Sequence, residues 1–218
     1  MENGFDKIRD FIRGNLERNC GKCSCNHNIV LFEPLTEECK DVGVVFLGLS
    51  PGKTELEAGH PFASKDDQIC RRIFEEQGLT ECGILLFNAC CCMHTPENPP
   101  IEKEIFYCFD NFEKALEMIP RHAVIVPTGA PSLRRMGITE GPEEAMKNVY
   151  MYEGHPVLPM VHISAVTSGQ VSMEKYVKRL IQAKEVYQSG AVVQVPEGCV
   201  RESAKVRTAL KEKAGIDE

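Results

Sequence analysis

The sequence predicts an α/β fold: a three-layer sandwich with a mostly parallel central sheet flanked by helices. Two observations lead to this prediction. Short apolar runs typical of buried strands occur at residues 42–48, 83–88 and 123–127, and segments with apolar residues at helical spacing lie between them. Strands that alternate with helices in this way indicate a parallel or mostly parallel sheet that is covered on both faces.

The individual elements follow from apolar spacing and from the residues that begin or end them. Phe5, Ile8 and Ile12 recur at helical spacing and mark the first helix, and Ser172 is a typical N-cap for a long late helix. In order, the predicted helices cover residues 4–18, 66–78, 101–118, a short segment between Pro131 and Gly137, and residues 173–187. Two further strands are predicted at residues 149–152 and 157–162.

Composition and charge limit the class of protein. Hydrophobic residues at 43% and charged residues at 26% are typical of a globular chain, and 218 residues suffice for one substantial domain. We place this domain at residues 1–187, followed by a C-terminal extension over residues 188–218.

The sequence predicts a cytoplasmic protein without signal peptide or membrane partner. The N-terminus is charged, and no run approaches the ~20 apolar residues of a membrane span. A net charge of −7 opposes tight, sequence-independent binding to nucleic acid.

The segment from residue 44 to residue 62 is the most informative part of the chain. Four apolar residues lead to Gly48, and a tight loop follows, made of Leu49, Ser50, Pro51 and Gly52. A strand that ends in such a loop places backbone N–H groups and the ring of Phe62 at the carboxyl edge of the sheet, where α/β folds keep their ligand sites. An ordinary strand-to-loop turn is the alternative for this segment taken alone.

The cysteines indicate a metal centre or a reducing environment. There are eleven, an odd number, and residues 90–92 are consecutive cysteines, which argues against a full disulfide framework. Four thiolates drawn from three places, Cys20 and Cys23 together with Cys92 and Cys108, would suit a [4Fe–4S] cluster. Spacing alone leaves open two alternatives, no bound metal and a tetrahedral zinc site on Cys20, Cys23, Cys25 and Cys39.

The motifs, taken in order, resemble those of the uracil-DNA glycosylase superfamily, and most closely its family four, the iron–sulfur type. That family has a Cys-x-x-Cys before the first strand, a Gly-Glu-Ala-Pro-Gly loop, and a Gly-x-Pro-Phe at a set distance. Here the two loop motifs are residues 48–52, Gly-Leu-Ser-Pro-Gly, and residues 59–62, Gly-His-Pro-Phe. The family's later features follow at closely similar spacing as Asn88, Cys92, a proline-rich loop at 96–100, Cys108 and His162. The similarity covers roughly residues 5–185.

This resemblance implies a structural [4Fe–4S] cluster on Cys20, Cys23, Cys92 and Cys108. It also implies a base-binding site formed by Gly48, Leu49, Ser50, Gly52, Phe62 and Asn88, with His162 as the catalytic residue. In such a site Phe62 would stack on a base, Asn88 would read the O4 and N3–H edge of uracil, and His162 would stabilise the charge that builds on uracil O2. From the residues alone, each also has an ordinary structural alternative: a core phenylalanine, a strand-terminal asparagine that caps its own loop, and a structural histidine.

The implied function is that of a DNA glycosylase in base excision repair, acting as a monomer on DNA that contains a damaged base, with uracil as product or ligand. Leu49, however, stands where the family has a carboxylate that orients the attacking water or stabilises the sugar cation. Ile163 also replaces a proline, and residues 165–169 lack a basic residue. Two other readings are a non-catalytic or weakly active protein that binds a nucleobase or nucleotide, and an enzyme on a modified nucleotide outside DNA. Glu55 and Glu57 are the first carboxylates to consider in place of the missing one, and Asp66 or Asp67 could also approach.

Overall fold

A seven-stranded sheet forms the centre of the computed structural model, which describes residues 4–20, 29–35, 41–94, 97, 99–191 and 193–216. Its strands are Glu33–Pro34 (β1), Val44–Gly48 (β2), Ile84–Asn88 (β3), Val124–Pro127 (β4), Tyr150–Tyr152 (β5), His155–Val157 (β6) and Val200–Arg201 (β7). They lie in the order β1-β3-β2-β4-β6-β5-β7. Parallel pairing joins β2 to β3 and to β4, β4 to β6, and β5 to β7, whereas β1–β3 and β5–β6 are antiparallel. The predicted mostly parallel sheet is confirmed.

Helices cover both faces of this sheet and complete the predicted three layers. In the described part of the chain they are Gly4–Asn19 (α1), Lys53–Ala58 (α2), Lys65–Glu76 (α3), Glu102–Leu116 (α4), Gly129–Arg135 (α5), Pro142–Ala145 (α6), Ile163–Thr167 (α7), Met173–Ser189 (α8) and Ser203–Ala214 (α9). No helix among these described residues has the length and apolar character needed to cross a membrane.

Two apolar cores, one on each face, explain why the central strands read as continuous apolar runs. In β2 the side chains alternate between them: Val45 and Leu47 pack with α1, α4 and α9, whereas Val44 and Phe46 pack with α3, α7 and α8. Because successive side chains of a strand point to opposite faces, a strand that is covered on both sides must be apolar at every position. Such strands are readily recognised from sequence.

One predicted strand is shorter and lies earlier than expected. The strand predicted at residues 157–162 is observed as β6, which ends at Val157. The chain continues beside β4 through three bonds: Leu158 N–H to the Ile125 carbonyl and Met160 N–H to the Pro127 carbonyl, each 2.9 Å long, and Gly129 N–H to the Met160 carbonyl at 2.8 Å. Pro127 of β4 has no N–H to return a bond to the Leu158 carbonyl, so the regular ladder stops there.

The C-terminal extension belongs to the same layered body. Strand β7 adds a parallel edge beside β5, and α9 packs against α4. The guanidinium of Arg207 lies 4.8 Å from the centre of the Phe106 ring and pairs with the carboxylates of Asp110 and Glu113. Strand β7 and helix α9 therefore close one edge of the sheet and cover one core.

Truncating the side chain that anchors α9 should destabilise the whole domain. Leu210 is 5% exposed in the core shared with α4, so Leu210→Ala should lower the free energy of unfolding by about 2–5 kcal/mol. Chemical denaturation followed by circular dichroism measures this change. Glu212→Ala, at an exposed position of the same helix, should leave the stability within about 0.5 kcal/mol of the parent. Equal effects of the two substitutions would show that α9 is only loosely attached.

Candidate functional site

A cavity of about 320 Å³ opens where β2, β3 and β4 end. Because these strands are parallel neighbours, their carboxyl ends and the loops that follow lie at one edge of the sheet. The structure brings six of the predicted site residues together around this cavity: Gly48, Leu49, Ser50, Phe62, Asn88 and His162. They come from segments more than 100 residues apart in the sequence.

Gly52 is the exception among the predicted base-binding residues. It does not line the cavity, and its N–H donates to Oε2 of Glu55 at 2.7 Å. Gly52 is the N-cap of α2, a helix that the sequence analysis does not predict. The spacing from Gly52 to Glu55, with Gly59 just past the end of the helix, was the available signal, because a glutamate at the third helical position can accept the N–H of the N-cap residue.

Gly48 and Asn88 are paired residues at the ends of neighbouring strands. A Cβ atom on Gly48 would lie 2.2 Å from the Asn88 Oδ1 atom and 3.5 Å from the Phe62 ring. The strand end therefore needs a residue without a side chain so that the Asn88 amide can lie against the backbone. The other end of this amide, Nδ2, donates to Oε1 of Glu55 over 3.5 Å. The buried amide thus lies with its oxygen beside Gly48 and its nitrogen towards Glu55.

Glu55 is a residue of the cavity whose role sequence reasoning could not assign. Its half-buried carboxylate accepts a hydrogen bond from the Phe62 N–H at 2.7 Å, in addition to those from Gly52 and Asn88. Burial raises its pKa, these hydrogen bonds oppose the shift, and the negative charge of Asp67 adds to it. Glu57, the other loop carboxylate, is exposed and lies 3.7 Å from Lys53 on the outer face of α2. The structure thus separates two glutamates that the sequence left equivalent.

Asp67 is a second carboxylate in the wall of the cavity. It is 7% exposed, and its Oδ2 accepts hydrogen bonds from the N–H of Ser64 at 3.1 Å and from the Ser64 hydroxyl at 2.5 Å. Ser64 in turn caps α3, so the pair forms a capping box that fixes the start of this helix. The Ser-x-x-Asp spacing predicts this cap, but nothing in it indicates that the carboxylate also faces a cavity.

His162 lies on the opposite side of the cavity from β3, directly before α7. Its Nδ1 accepts a hydrogen bond from the Ser164 N–H at 3.3 Å and lies 2.9 Å from the Ser164 hydroxyl. Because an N–H group can only donate, Nδ1 is the unprotonated nitrogen of the neutral ring, and Nε2 carries the hydrogen. The exposed imidazole therefore presents an N–H donor.

Cys90, Cys91 and Cys92 lie in the loop that follows β3, and the Cys90 N–H donates at 2.7 Å to the carbonyl of Leu49, a residue of the cavity wall. Cys92 forms an isolated bridge with Ile29, and Cys20 at the end of α1 packs against the same apolar core as Cys108. The residue that follows segment 21–28 therefore lies beside this loop. Cys23, and also Cys25 and Cys39 of the alternative zinc site, lie outside the described residues. Within the described residues, no group of three or more metal-ligating side chains is arranged to hold an ion.

The surroundings of Cys108 fit a thiolate ligand. Its Sγ accepts a hydrogen bond from the Cys91 N–H at 3.0 Å and lies 3.7 Å from the Asn111 amide nitrogen. The thiols of Cys90 and Cys91 and these N–H donors lower the pKa of Cys108 well below its ordinary value. Donors directed at sulfur are the groups that stabilise and tune cysteine-ligated iron–sulfur clusters.

Comparison with known families agrees with this geometry. The model of the family described as the Uracil DNA glycosylase superfamily matches residues 36–183, which is more than half of the chain. The match begins before β2 and ends within α8, so it includes every residue that lines the cavity.

A side chain at position 48 should disturb the cavity without unfolding the protein. In Gly48→Ala the new methyl group would meet the Asn88 oxygen at 2.2 Å, so the amide must move, at a cost of about 1–3 kcal/mol in stability. A crystal structure of the variant should show the Asn88 amide turned away from position 48. Gly198→Ala, where the added methyl group has no neighbour within 4 Å, is the matched control. An unmoved Asn88 would contradict the close packing described above.

Proposed function

We propose, since the chain belongs to the uracil-DNA glycosylase superfamily, that it hydrolyses the N-glycosidic bond of uracil or another deaminated base in DNA. The observation that carries this proposal is the meeting of Phe62, Asn88 and His162 in one cavity at the carboxyl edge of the sheet. An enzyme that removes a base must take it out of the stack, hold its face, read its edge and stabilise the leaving group. The three side chains offer one group for each of the last three tasks.

Recognition of the base would rest on Phe62 and Asn88. The Phe62 ring supplies a stacking face, and the backbone of residues 48–50 forms the adjacent wall. An asparagine amide presents a donor and an acceptor side by side, which matches the O4 and N3–H edge of uracil and mismatches cytosine. The contact with Glu55 supports this role, since it holds the amide in one orientation.

Stabilisation of the leaving base would fall to His162. As the glycosidic bond breaks, negative charge develops on the base, and for uracil O2 carries part of it. The Nε2–H of a neutral imidazole, held in this tautomer by Ser164, is a suitable donor to that oxygen. A positioned donor at a developing oxyanion is typically worth ~10²–10³ in rate.

Leu49 makes us expect slow catalysis. Its side chain lines the cavity where the family motif has a carboxylate, and an alkyl group cannot polarise water or stabilise a sugar cation. Glu55 is a poor substitute, because each of its oxygens already accepts a backbone N–H bond of 2.7 Å. We propose that Glu55 orients Phe62 and Asn88 and that the carboxylate of the family motif has no replacement at the sugar.

Restoring the carboxylate should therefore raise activity. A positioned general base contributes ~10²–10⁴ in rate, so Leu49→Glu should accelerate the release of uracil, whereas His162→Ala should abolish the residual activity of the parent. The assay is incubation with duplex and single-stranded DNA that carries uracil, hypoxanthine or no lesion, followed by alkali to cut at abasic sites. Glu57→Gln, at an exposed position outside the cavity, is the control and should cleave like the parent.

Two results would change this proposal. Fast excision by the parent that Leu49→Glu does not improve would mean that one of the two cavity carboxylates, Glu55 or Asp67, acts at the sugar after all. If neither the parent nor Leu49→Glu cuts any base while both retain affinity for uracil or a uracil nucleotide, the protein is a base-binding member of the superfamily. Leu49 is the observation that favours this second function, since it removes a catalytic group and leaves the binding surfaces in place.

We further propose that Cys20, Cys23, Cys92 and Cys108 hold a [4Fe–4S] cluster as a structural element. The N–H donors around Cys108 and the bridge between Cys92 and Ile29, the residue that follows segment 21–28, support this proposal. Bound there, the cluster would cross-link α1, the loop after β3 and α4, and would take no part in the chemistry at the base.

Anaerobically purified protein should then be brown, with about four irons per chain. Cys108→Ser should lose both colour and iron. Cys70→Ser should keep them, because Cys70 is buried 3.2 Å from the Tyr176 hydroxyl in the opposite core. A colourless protein with one equivalent of zinc would instead support the local zinc site.

A further inference from the structure

Phe62 has a backbone conformation that bulky residues rarely adopt. Its φ angle is +55°, in the left-handed region that favours glycine. The residue is nonetheless 7% exposed, and its ring lies against Gly48 in the wall of the cavity. Such strain persists only where neighbouring groups hold the backbone in place, and it concentrates at functional sites.

Two charged side chains hold this backbone from opposite sides. Glu55 accepts the Phe62 N–H, as described above, and Arg71 of α3 donates from Nε to the Phe62 carbonyl at 3.0 Å. Nη2 of the same guanidinium donates to the preceding carbonyl, that of Pro61, at 2.9 Å. One planar group thus binds two successive carbonyls, and this contact fixes the direction of the peptide between them.

Arg71 is itself fixed by Glu33 of β1. Both terminal nitrogens of the guanidinium reach the Glu33 carboxylate, with Nη1 donating to Oε1 at 3.3 Å and Nη2 donating to Oε2. The ring of His60 lies 3.1 Å from both partners. With a side chain only 14% exposed, Arg71 has few other conformations available. A forked ion pair of this geometry cannot be reproduced by lysine.

We infer that Arg71 is a positioning residue that holds Phe62 in its left-handed conformation and so determines how tightly the cavity binds a flipped-out base. The inference rests on the function proposed above. If Phe62 relaxed to an ordinary negative φ, its ring would leave the side of Gly48 and Asn88, where it can stack on a base that Asn88 reads. Arg71 touches no substrate in this scheme and acts only through Phe62.

The test compares Arg71→Met and Arg71→Lys with Arg72→Met, which removes the same charge from the next, exposed position of α3. The first readout is the nuclear Overhauser contact between the Phe62 ring and Gly48 in the free protein. The second is affinity for duplex DNA that contains a 2′-fluorinated deoxyuridine, which resists hydrolysis. Base–aromatic stacking predicts a loss of about tenfold in affinity for Arg71→Met, an intermediate loss for Arg71→Lys, and no change for Arg72→Met.

A double-mutant cycle separates positioning from a merely structural role. Phe62→Gly removes the ring and also the strain, since glycine adopts this φ freely. If Arg71 acts through Phe62, adding Arg71→Met to Phe62→Gly should cost no further affinity. A further loss in the double variant, or an Arg71→Met protein that keeps the ring contact and full affinity, would overturn the inference.

The two proposals fail in different ways. A wild-type protein that binds no base would remove the proposed function, while the ring contact in the free protein would still decide whether Arg71 places Phe62. If Arg71→Met does not fold, Arg71→Lys carries the same comparison, with thermal unfolding confirming that it is native.

Discussion

The Glu55 carboxylate is the interaction on which the cavity depends. It joins three segments that are separate in sequence: the N-cap of α2 through Gly52, the backbone of Phe62, and the end of β3 through Asn88. Burying a carboxylate costs free energy, which is why the pKa of Glu55 is raised. This cost is offset because the carboxylate accepts two backbone N–H groups beside the partly closed cavity, which would otherwise have no hydrogen-bond partner.

The loop after β3 supports the cavity from the other side. Three backbone hydrogen bonds tie it to the glycine loop: Ala89 to the Gly48 carbonyl at 3.0 Å, Cys90 to Leu49 at 2.7 Å, and His94 to Pro51 at 3.3 Å. These bonds join residues 89–94, which include Cys90, Cys91 and Cys92, to the glycine loop. A structural cluster in the cysteine loop would thus stabilise the cavity without entering it, which is consistent with a role away from the chemistry.

The elements that could be predicted from sequence are those that depend only on residues nearby in the chain. The apolar runs of β2, β3 and β4 and the cap of α8 depend on neighbours within a few residues, and each is found where it was expected. The missed elements depend on contacts across the fold. Two-residue strands such as β1 and β7 have no periodicity to read, and β6 ends early because Pro127 of the neighbouring β4 has no N–H to continue the ladder.

The site shows the same division between local and tertiary causes. Six of the residues that line the cavity could be named in advance, since the order and spacing of the motifs resemble those of the family, whereas Gly52 was named and does not line it. The sequence could not predict which of Glu55 and Glu57 faces the cavity. Both lie in the same polar segment, and only the direction of α2 turns one of them inwards. The contact between Arg71 and the Phe62 carbonyl could not be predicted either, since no sequence pattern connects a helix position to a carbonyl nine residues earlier.

The replacement at Leu49 shows why fold and chemistry can separate in this superfamily. The glycine loop is held by backbone groups: the Leu49 carbonyl accepts the Cys90 N–H, and Gly48 pairs with Asn88 through the sheet. None of these bonds depends on the side chain at position 49. The loop, the amide of Asn88 and the ring of Phe62 can therefore keep their places whether that side chain is a carboxylate or an alkyl group. For the proposed function, this means that the binding geometry and the rate of bond cleavage depend on different atoms, so that a change in one need not disturb the other.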